Sequence, residues 1–576
     1  MTRISTMRLV LMVAALVAPA LVGAQAAKPQ GHGEGLEPSE LLRPLGESWP
    51  TYSGDYSGRR YSSLTQVNQS NVKNLSLAWV TRVTAGPGAG PGPGRGRGRG
   101  TVAAPTVVGG EGDGQLAAGG ATNIRSAVLA VNGILYFTTP DNAWAVDARD
   151  GREIWHYYWK TKGGNHIGNR GMGMWRNYLY METPDDYLIS LDARTGKERW
   201  HKEIASFAQE YFSTMAPIVV GDHVLVGTGN DLDAPGFLQS FDPETGALQW
   251  KLYTVPMNEG DPGLDTWKNL DAARHGGAQV WVPGAYDPET HLYITGTGNP
   301  TPAYTSQVRG EGDNLFTCAL IAVNVDTGKM VWYYQTSPHD THDWDSAQTP
   351  VLVDAMWGGR PRKLVLTAAR NGYYFTLDRV TGEHLVTGKF SNTVNWALPR
   401  LNEKGQPVRD PKKDHDIAGA LVSSANGGAA NWPPPAFSPD TGLFYVPLSE
   451  SWAMYYLTET DPRGAMGLGG KEEVGLGGEA FLAAIDYRTG EVVWKQKYPS
   501  ATNAGGGVGL LTTAGRLIFG ADAGGNFVAR DVATGKPLWH ARLGNISNAA
   551  ETYMLDGRQY VILAAGDSLY SFAVNP

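Results

Sequence analysis

AVDARDGREIW (145–155), SLDARTGKERW (190–200) and SFDPETGALQW (240–250) are copies of one pattern. A largely apolar pair leads into Asp or Asn, a turn closes on Gly, and Trp stands four residues later. Three further copies are AVNVDTGKMVW (322–332), AIDYRTGEVVW (484–494) and ARDVATGKPLW (529–539), while TLDRVTGEHLV (376–386) ends in Val. The Asp side chain bonds the turn backbone and Gly supplies a positive φ, so each copy predicts a tight hairpin. A Trp at a fixed distance beyond the turn suits a residue that docks one sheet onto the next.

The closest copies stand 45 residues apart, room for a four-stranded antiparallel sheet, which is the blade spacing of a β-propeller. The wider gaps, 240 to 322 and 376 to 484, leave space for an insertion or a further blade. LSLAWV (75–80) and SLYSFAV (568–574) read as strands of one shared blade. The expected fold is therefore all-β, an eight-bladed β-propeller with Trp-docking repeats, and seven blades is the alternative. Composition agrees: 74 Gly, 35 Pro and 18 Trp in 576 residues suit many short strands and turns.

A net charge of −8 argues against a general nucleic-acid binder. The basic run GPGRGRGRG (92–100) is Gly-spaced and reads as a linker, with RNA contact as the alternative. Arg3 and Arg8 precede the apolar run LVLMVAALV (9–17), and AQA (24–26) offers small residues for cleavage. Residues 1–26 thus read as a signal peptide for export to a periplasm. An N-terminal extension (27–48) and the propeller (49–576) follow, with a flexible Gly/Pro/Arg-rich insertion at about 84–122. No stretch is long and apolar enough for a membrane span. Cys318 is the only cysteine, which excludes an intrachain disulfide, a C-x-x-C-H haem attachment and a lipid anchor at the signal.

SPHDTHDWDSAQTP (337–350) crowds Asp340, Asp343 and Asp345 into a chain that is only 18% charged. It lies among other long, ordered motifs: WPTYSGDYSGRRYSSLTQVNQSNVKNLSLAWV (49–80), GAYDPETHLYITGTGNPTP (284–302), ARNGYYFTLDR (369–379) and NGGAANWPPPAFSPDTGLFYVP (426–447). Together these resemble the PQQ-dependent alcohol dehydrogenases, the methanol/ethanol quinoprotein family, over nearly the whole mature chain.

The resemblance implies that Asp343 is the catalytic base beside a metal ion, with Asp231, Asn299 and Asp345 as further metal ligands. Oxidising an alcohol needs a base for the hydroxyl proton while hydride leaves the carbon, and a hard cation collects oxygen ligands. Asp231 stands where the family usually has Glu, one methylene longer, and Asp233 is the fallback. Trp281 corresponds to the tryptophan on which the quinone lies. Arg170 and Arg370 correspond to cations near its carboxylates and oxygens, and Thr183, Asn431 and Trp432 to further contacts. Arg125 stands where the family often has Glu. The family's adjacent cysteine pair falls on Gly164-Asn165, so Asn165 or His166 is the candidate cover for the quinone.

The implied function is oxidation of a primary or related alcohol to the aldehyde, with PQQ and one metal ion, a lanthanide or calcium. Asp345 tips the choice toward a lanthanide, because three carboxylates balance a trivalent ion. Expected partners are a small alcohol and a separate soluble cytochrome c, with a homodimer as an open option. The competing reading is a non-catalytic propeller scaffold or a degenerate quinoprotein.

Overall fold

The computed structural model describes residues 35–87, 105–115, 123–163, 168–457, 469–473, 476–499, 508–522 and 524–575. The expected signal peptide, the Arg-Gly run and the Gly164–His166 stretch lie outside them. Among the described residues the single α-helix is the one-turn segment Leu270–Arg274, and the rest is strands, short 3-10 turns and loops.

Eight sheets of four or five strands follow one another along the described chain. The first consists of Leu129–Val131, Ile134–Thr139, Asn142–Asp147 and Glu153–Trp159, in chain order from one edge to the other. The next four begin at Gly173–Trp175, Ile218–Val220, Ala285–Asp287 and Val351–Trp357, and three more begin at Ala436–Ser438, Leu511–Thr513 and Glu551–Leu555. The outermost strand of the last sheet is Leu75–Arg82, antiparallel to Ser568–Val574, so the two segments expected to share a sheet do so. Both wide gaps between repeats hold insertions rather than further sheets of this kind. The larger carries a two-stranded and a three-stranded sheet, the latter of Ala420–Val422, Ala453–Tyr456 and Lys471–Glu473. One part of the insertion expected to be flexible is ordered: Thr106–Glu111 pairs in parallel with the free edge of Glu153–Trp159. Its β-branched run TVV suits an added edge strand.

Each repeat forms the turn between the third and fourth strands of its sheet. In the second sheet Asp192 Oδ1 accepts hydrogen bonds from Arg194 N, Thr195 N and Thr195 Oγ1, and Gly196 N closes the turn on Asp192 O at 2.8 Å. The same bonds recur around Asp242, Asp378 and Asp531. The Trp of one sheet then reaches the turn of the next. Indole Nε1 of Trp79, Trp155, Trp200, Trp250 and Trp332 donates to the carbonyls of Ala148, Ala193, Glu244, Val325 and Arg379. The ring covers the turn glycine: at Gly328, with φ +66°, a Cβ would lie 2.5 Å from the Trp250 ring. Glycine is required there for two reasons, conformation and space.

The segment around 49–62 is not part of the repeat. It runs across the first strands of several sheets: Trp49 pairs with Ala130, Tyr286 N donates to Tyr56 O, Leu352 N to Ser57 O, Phe437 N to Arg59 O and Thr512 N to Arg60 O. Arg60 is fully buried under Trp49 and donates to Tyr52 O, Leu510 O, Ala550 O and the Glu551 carboxylate. A guanidinium with five donors satisfies a buried crossing of several carbonyls where no other side chain could.

Candidate active site

In each antiparallel sheet the loop entering the first strand and the loop between the second and third strands lie on one edge. The repeat turns lie on the other. The first edge carries the residues expected to act. Asn169-Arg170 precede Gly173–Trp175, Trp281 precedes Ala285–Asp287, the Asp-rich loop precedes Val351–Trp357, and Asn431-Trp432 precede Ala436–Ser438. Thr183, Asp231, Asn299 and Arg370 sit in the second-to-third-strand loops of their sheets.

Arg370 ties these loops together. Its Nη1 donates to Asp343 O at 2.7 Å and stands 3.5 Å from Asp343 Oδ1, while Nη2 is 3.1 Å from Asp345 Oδ2. Nη1 also donates to Asn426 O at 3.4 Å. The loop of Gly427-Gly428 packs so close that a Cβ at Gly428 would lie 2.5 Å from Arg370 Cβ. Trp281 Nε1 donates to Asp345 Oδ2 at 2.9 Å, and Asn299 N donates to Asp345 Oδ1 at 2.5 Å. Asp343 itself has φ +65°, a left-handed conformation that non-glycine residues rarely take. Such strain persists only where the surroundings enforce it, and it gathers at functional sites.

Burial above all, and then Asp345, Asp340 and Asp231, pushes the Asp343 carboxyl well above the usual range, against the pull of Arg370. That influence puts Asp231 in electrostatic reach of Asp343, whereas Asp233 pairs with His275 at 3.4 Å. Asn299 Nδ2 donates to Pro300 O, which leaves the amide oxygen as an acceptor. Two carboxylates and an amide oxygen are the hard donors that a calcium- or lanthanide-sized cation collects. Among the described residues no three His, Cys, Asp or Glu side chains converge as a ready ligand group.

Beside these carboxylates lies a cationic, aromatic platform. The guanidinium of Arg170 is 4.7 Å from the centre of the Trp281 ring and 4.9 Å from that of Trp432, and Arg370 is 5.5 Å from Trp281. Arg170 Nη1 donates to Thr214 O, but the buried Nε of Arg170 and the buried Nε of Arg370 have no acceptor. Burial, with Arg125 and Arg370 adding repulsion, brings Arg170 down to about 10. Orphaned guanidinium donors around an indole face suit a flat polycarboxylate, which would supply both the acceptors and the countercharge. PQQ, a planar tricarboxylate, fits that description.

Thr183 and Asn431 brace their own loops: Thr183 Oγ1 donates to Asp185, and Asn431 Oδ1 accepts from Trp432 N. Several site residues were not legible in sequence. Tyr52, from the crossing segment, is buried beside Arg170 and Thr349. Arg309, fully buried, donates to Pro302 O, Ala303 O and Asp340 O and so fastens the Asp-rich loop to the GTGNPTP loop. An aromatic wall of Tyr304, His342, Trp344, His415 and Tyr455 rises next to Asp343, with Tyr304 stacked on His415 at 4.5 Å and His342 on Trp344 at 4.3 Å. Only the aromatic density of HDTHDWD hinted at it.

The comparisons with known proteins agree with this geometry. Residues 49–391 match the family model described as glucose/ethanol/alcohol dehydrogenase, beta-propeller domain, and residues 478–575 match one described as outer membrane protein assembly factor BamB. Quinohemoprotein alcohol dehydrogenase ADH IIB of Pseudomonas putida is 32% identical, over 90% of this chain and 74% of the relative. Quinoprotein alcohol dehydrogenase PedH, also of Pseudomonas putida, is 31% identical over 88% of this chain and 84% of the relative. Among solved structures, the quinohemoprotein alcohol dehydrogenase of Comamonas testosteroni superposes with a TM-score of 0.79 at 28% identity, covering 94% of this chain and 82% of that one. A europium-containing methanol dehydrogenase does so at 0.76 and 26%, covering 93% and 99%. Sequence motifs, platform and relatives converge, and the chain belongs to the PQQ-dependent quinoprotein alcohol dehydrogenases, β-propeller oxidoreductases that act on alcohols.

Proposed function

We propose that the chain is an exported enzyme that oxidises a primary or related alcohol to the aldehyde, with Asp343 as the base. The observation that carries the reading is the pair of acceptor-less buried guanidinium Nε atoms of Arg170 and Arg370 beside Trp281, with Arg370 in direct contact with Asp343. Trp281 would carry the cofactor, with Trp432, Arg125, Thr183 and Asn431 around it. When bound, PQQ would supply a quinone that accepts two electrons, and a metal ion held beside it would make it a better acceptor. Asp343 takes the hydroxyl proton, the role a positioned carboxylate plays as a general base. Arg370 holds the backbone of Asp343 through its carbonyl and stands 3.5 Å from its carboxylate. The aromatic wall of Tyr304, His415 and Tyr455 excludes water from the same side.

The eight sheets are read as the eight blades of one ring, docked through the tryptophans, with residues 49–576 as its domain. Asp231, Asn299 and Asp343 would hold the metal, with Asp345 adding the third negative charge that a lanthanide favours. Arg370 offsets one of the three charges, so calcium is the alternative. The electrons would pass on to a cytochrome c in the periplasm, reached through a signal peptide at 1–26.

The test is reconstitution. Apoprotein loaded with PQQ and La³⁺, Ce³⁺ or Ca²⁺ should reduce an artificial electron acceptor when supplied with alcohols, faster with a lanthanide than with calcium. Inactivity with every alcohol and metal, PQQ being bound, would favour the degenerate quinoprotein instead.

A further inference from the structure

Asp345 is engaged more fully by protein donors than a residue that serves only as a metal ligand would be. Oδ2 receives Trp281 Nε1 at 2.9 Å and faces Arg370 Nη2 at 3.1 Å, while Oδ1 receives Asn299 N at 2.5 Å. The side chain is nearly buried, at 6% exposure, so these bonds are not in competition with bulk water. The neighbouring loop allows the fit: Gly298 leaves a space in which a Cβ would come within 3.3 Å of Asp345 Oδ1. One oxygen therefore grips the two groups that line the quinone face, the indole of Trp281 and the guanidinium of Arg370. The other grips the backbone of Asn299, a candidate metal ligand.

We infer that Asp345 is a positioning residue for the quinone platform, holding the Trp281 ring and the Arg370 fork in the orientation that PQQ meets. This rests on the quinone-binding reading and deepens it. The role follows from the geometry of donors, since an indole fixed by its N–H cannot pivot about χ2 and a guanidinium fixed through Nη2 presents its free Nε in one direction. It operates whichever metal is bound, because Oδ1 retains a second lone pair for a cation. Charged hydrogen bonds of this kind are each worth enough to shift an affinity by about tenfold.

A double-mutant cycle on the full-length protein tests it, with PQQ itself as the probe and the metal saturating. The dissociation constant for PQQ is read by quenching of tryptophan fluorescence and by absorbance. Trp281→Phe keeps a flat ring but loses the N–H. Asp345→Asn keeps the size but turns an NH₂ toward one donor. Each single change is expected to raise the PQQ dissociation constant about tenfold. The double variant should fall short of the product of the two single losses, because the Trp281–Asp345 bond can be lost only once, while Asp345→Asn also loosens Arg370. Trp281→Phe should leave the metal affinity, measured separately, within about twofold. Asp345→Glu, which keeps the charge, should recover part of the loss. Should Asp345→Asn fail to fold, Trp281→Phe with unchanged PQQ affinity would by itself overturn the inference. Fully additive losses, or weaker metal binding with PQQ affinity unchanged in Asp345→Asn, would also overturn it. Wild-type protein that binds no PQQ would remove the quinone-binding reading together with this inference, whereas normal wild-type binding isolates the fault to the clamp.

Discussion

The two edges of the same sheets were built by different rules. On the edge of the repeat turns, the carboxylates of Asp192, Asp242, Asp378 and Asp531 are each satisfied by two backbone N–H groups and a threonine hydroxyl. On the opposite edge no two loops are alike. Polar groups are buried there without partners: Arg170 Nε, Arg370 Nε, Asp340 Oδ1, Gln279 Oε1 and Gln348 Oε1. Burying an unpaired polar group costs about 1–3 kcal/mol. A fold tolerates several together where a ligand completes them. The repeated edge stabilises the molecule, and the unrepeated edge is left incomplete for chemistry.

That contrast can be broken first at Asp343. Asp343→Asn should lower turnover by roughly 10²–10⁴-fold, since the amide cannot take a proton. PQQ content and melting temperature should stay at wild-type values. A large fall in melting temperature would mean that the residue belongs to the scaffold after all.

Trp155→Ala attacks the other edge. Its ring is 1% exposed and caps the turn of the following sheet, so the change should cost about 3–5 kcal/mol in chemical denaturation. Activity per folded molecule should stay near that of wild type. A loss of turnover larger than the loss of folded protein would show that the edges are coupled.

A smaller effect belongs to His156, stacked on Trp144 at 4.7 Å with Nε2 on Asn142 Oδ1. Burial pulls its pKa down to about 4 from an ordinary 6.5. The unfolded chain therefore protonates this ring below pH 6.5 while the folded chain does not, and stability is lost as pH falls from 6.5 toward 4. The slope from this one group is at most about 1.4 kcal/mol per pH unit. His156→Phe should flatten the acid limb of the stability curve by that amount, and an unchanged limb would contradict the assignment. The smallest effect is none: Cys318 is buried with no cysteine to pair with, so mild reductant should leave PQQ retention and activity unaltered. Release of PQQ by reductant at constant metal would reveal a bridge between chains.

The legibility of the molecule follows the same division. Turn residues act through their own neighbours in sequence, so Asp-x-x-Thr-Gly with a Trp beyond it can be read one copy at a time. The unit is local, and its repetition supplies the spacing of the sheets. The site is different because its contacts join distant loops. Arg370 meets Asp343, Asp345 and Asn426, and Arg309 meets Ala303 and Asp340. Periodicity carries no signal for such pairs; only the resemblance to a family did. The segment around 49–62 carries a family motif, yet its course across the first strands depends on Arg60, whose four acceptors span the chain from Tyr52 to Glu551. Thr106–Glu111 was obscured by the Gly and Pro around it, although a short β-branched run beside an open sheet edge is enough for a strand.

The central claim is that the incomplete edge holds PQQ beside a base. A single turnover tests it most directly. PQQ-loaded protein is mixed with excess alcohol without oxygen or acceptor, and the quinone absorbance is followed with time. The account predicts one equivalent of aldehyde and full loss of the quinone band per bound PQQ in wild type, with both slowed at least about a hundredfold in Asp343→Asn. Equal rates in the two proteins, at equal PQQ and metal content, would contradict it.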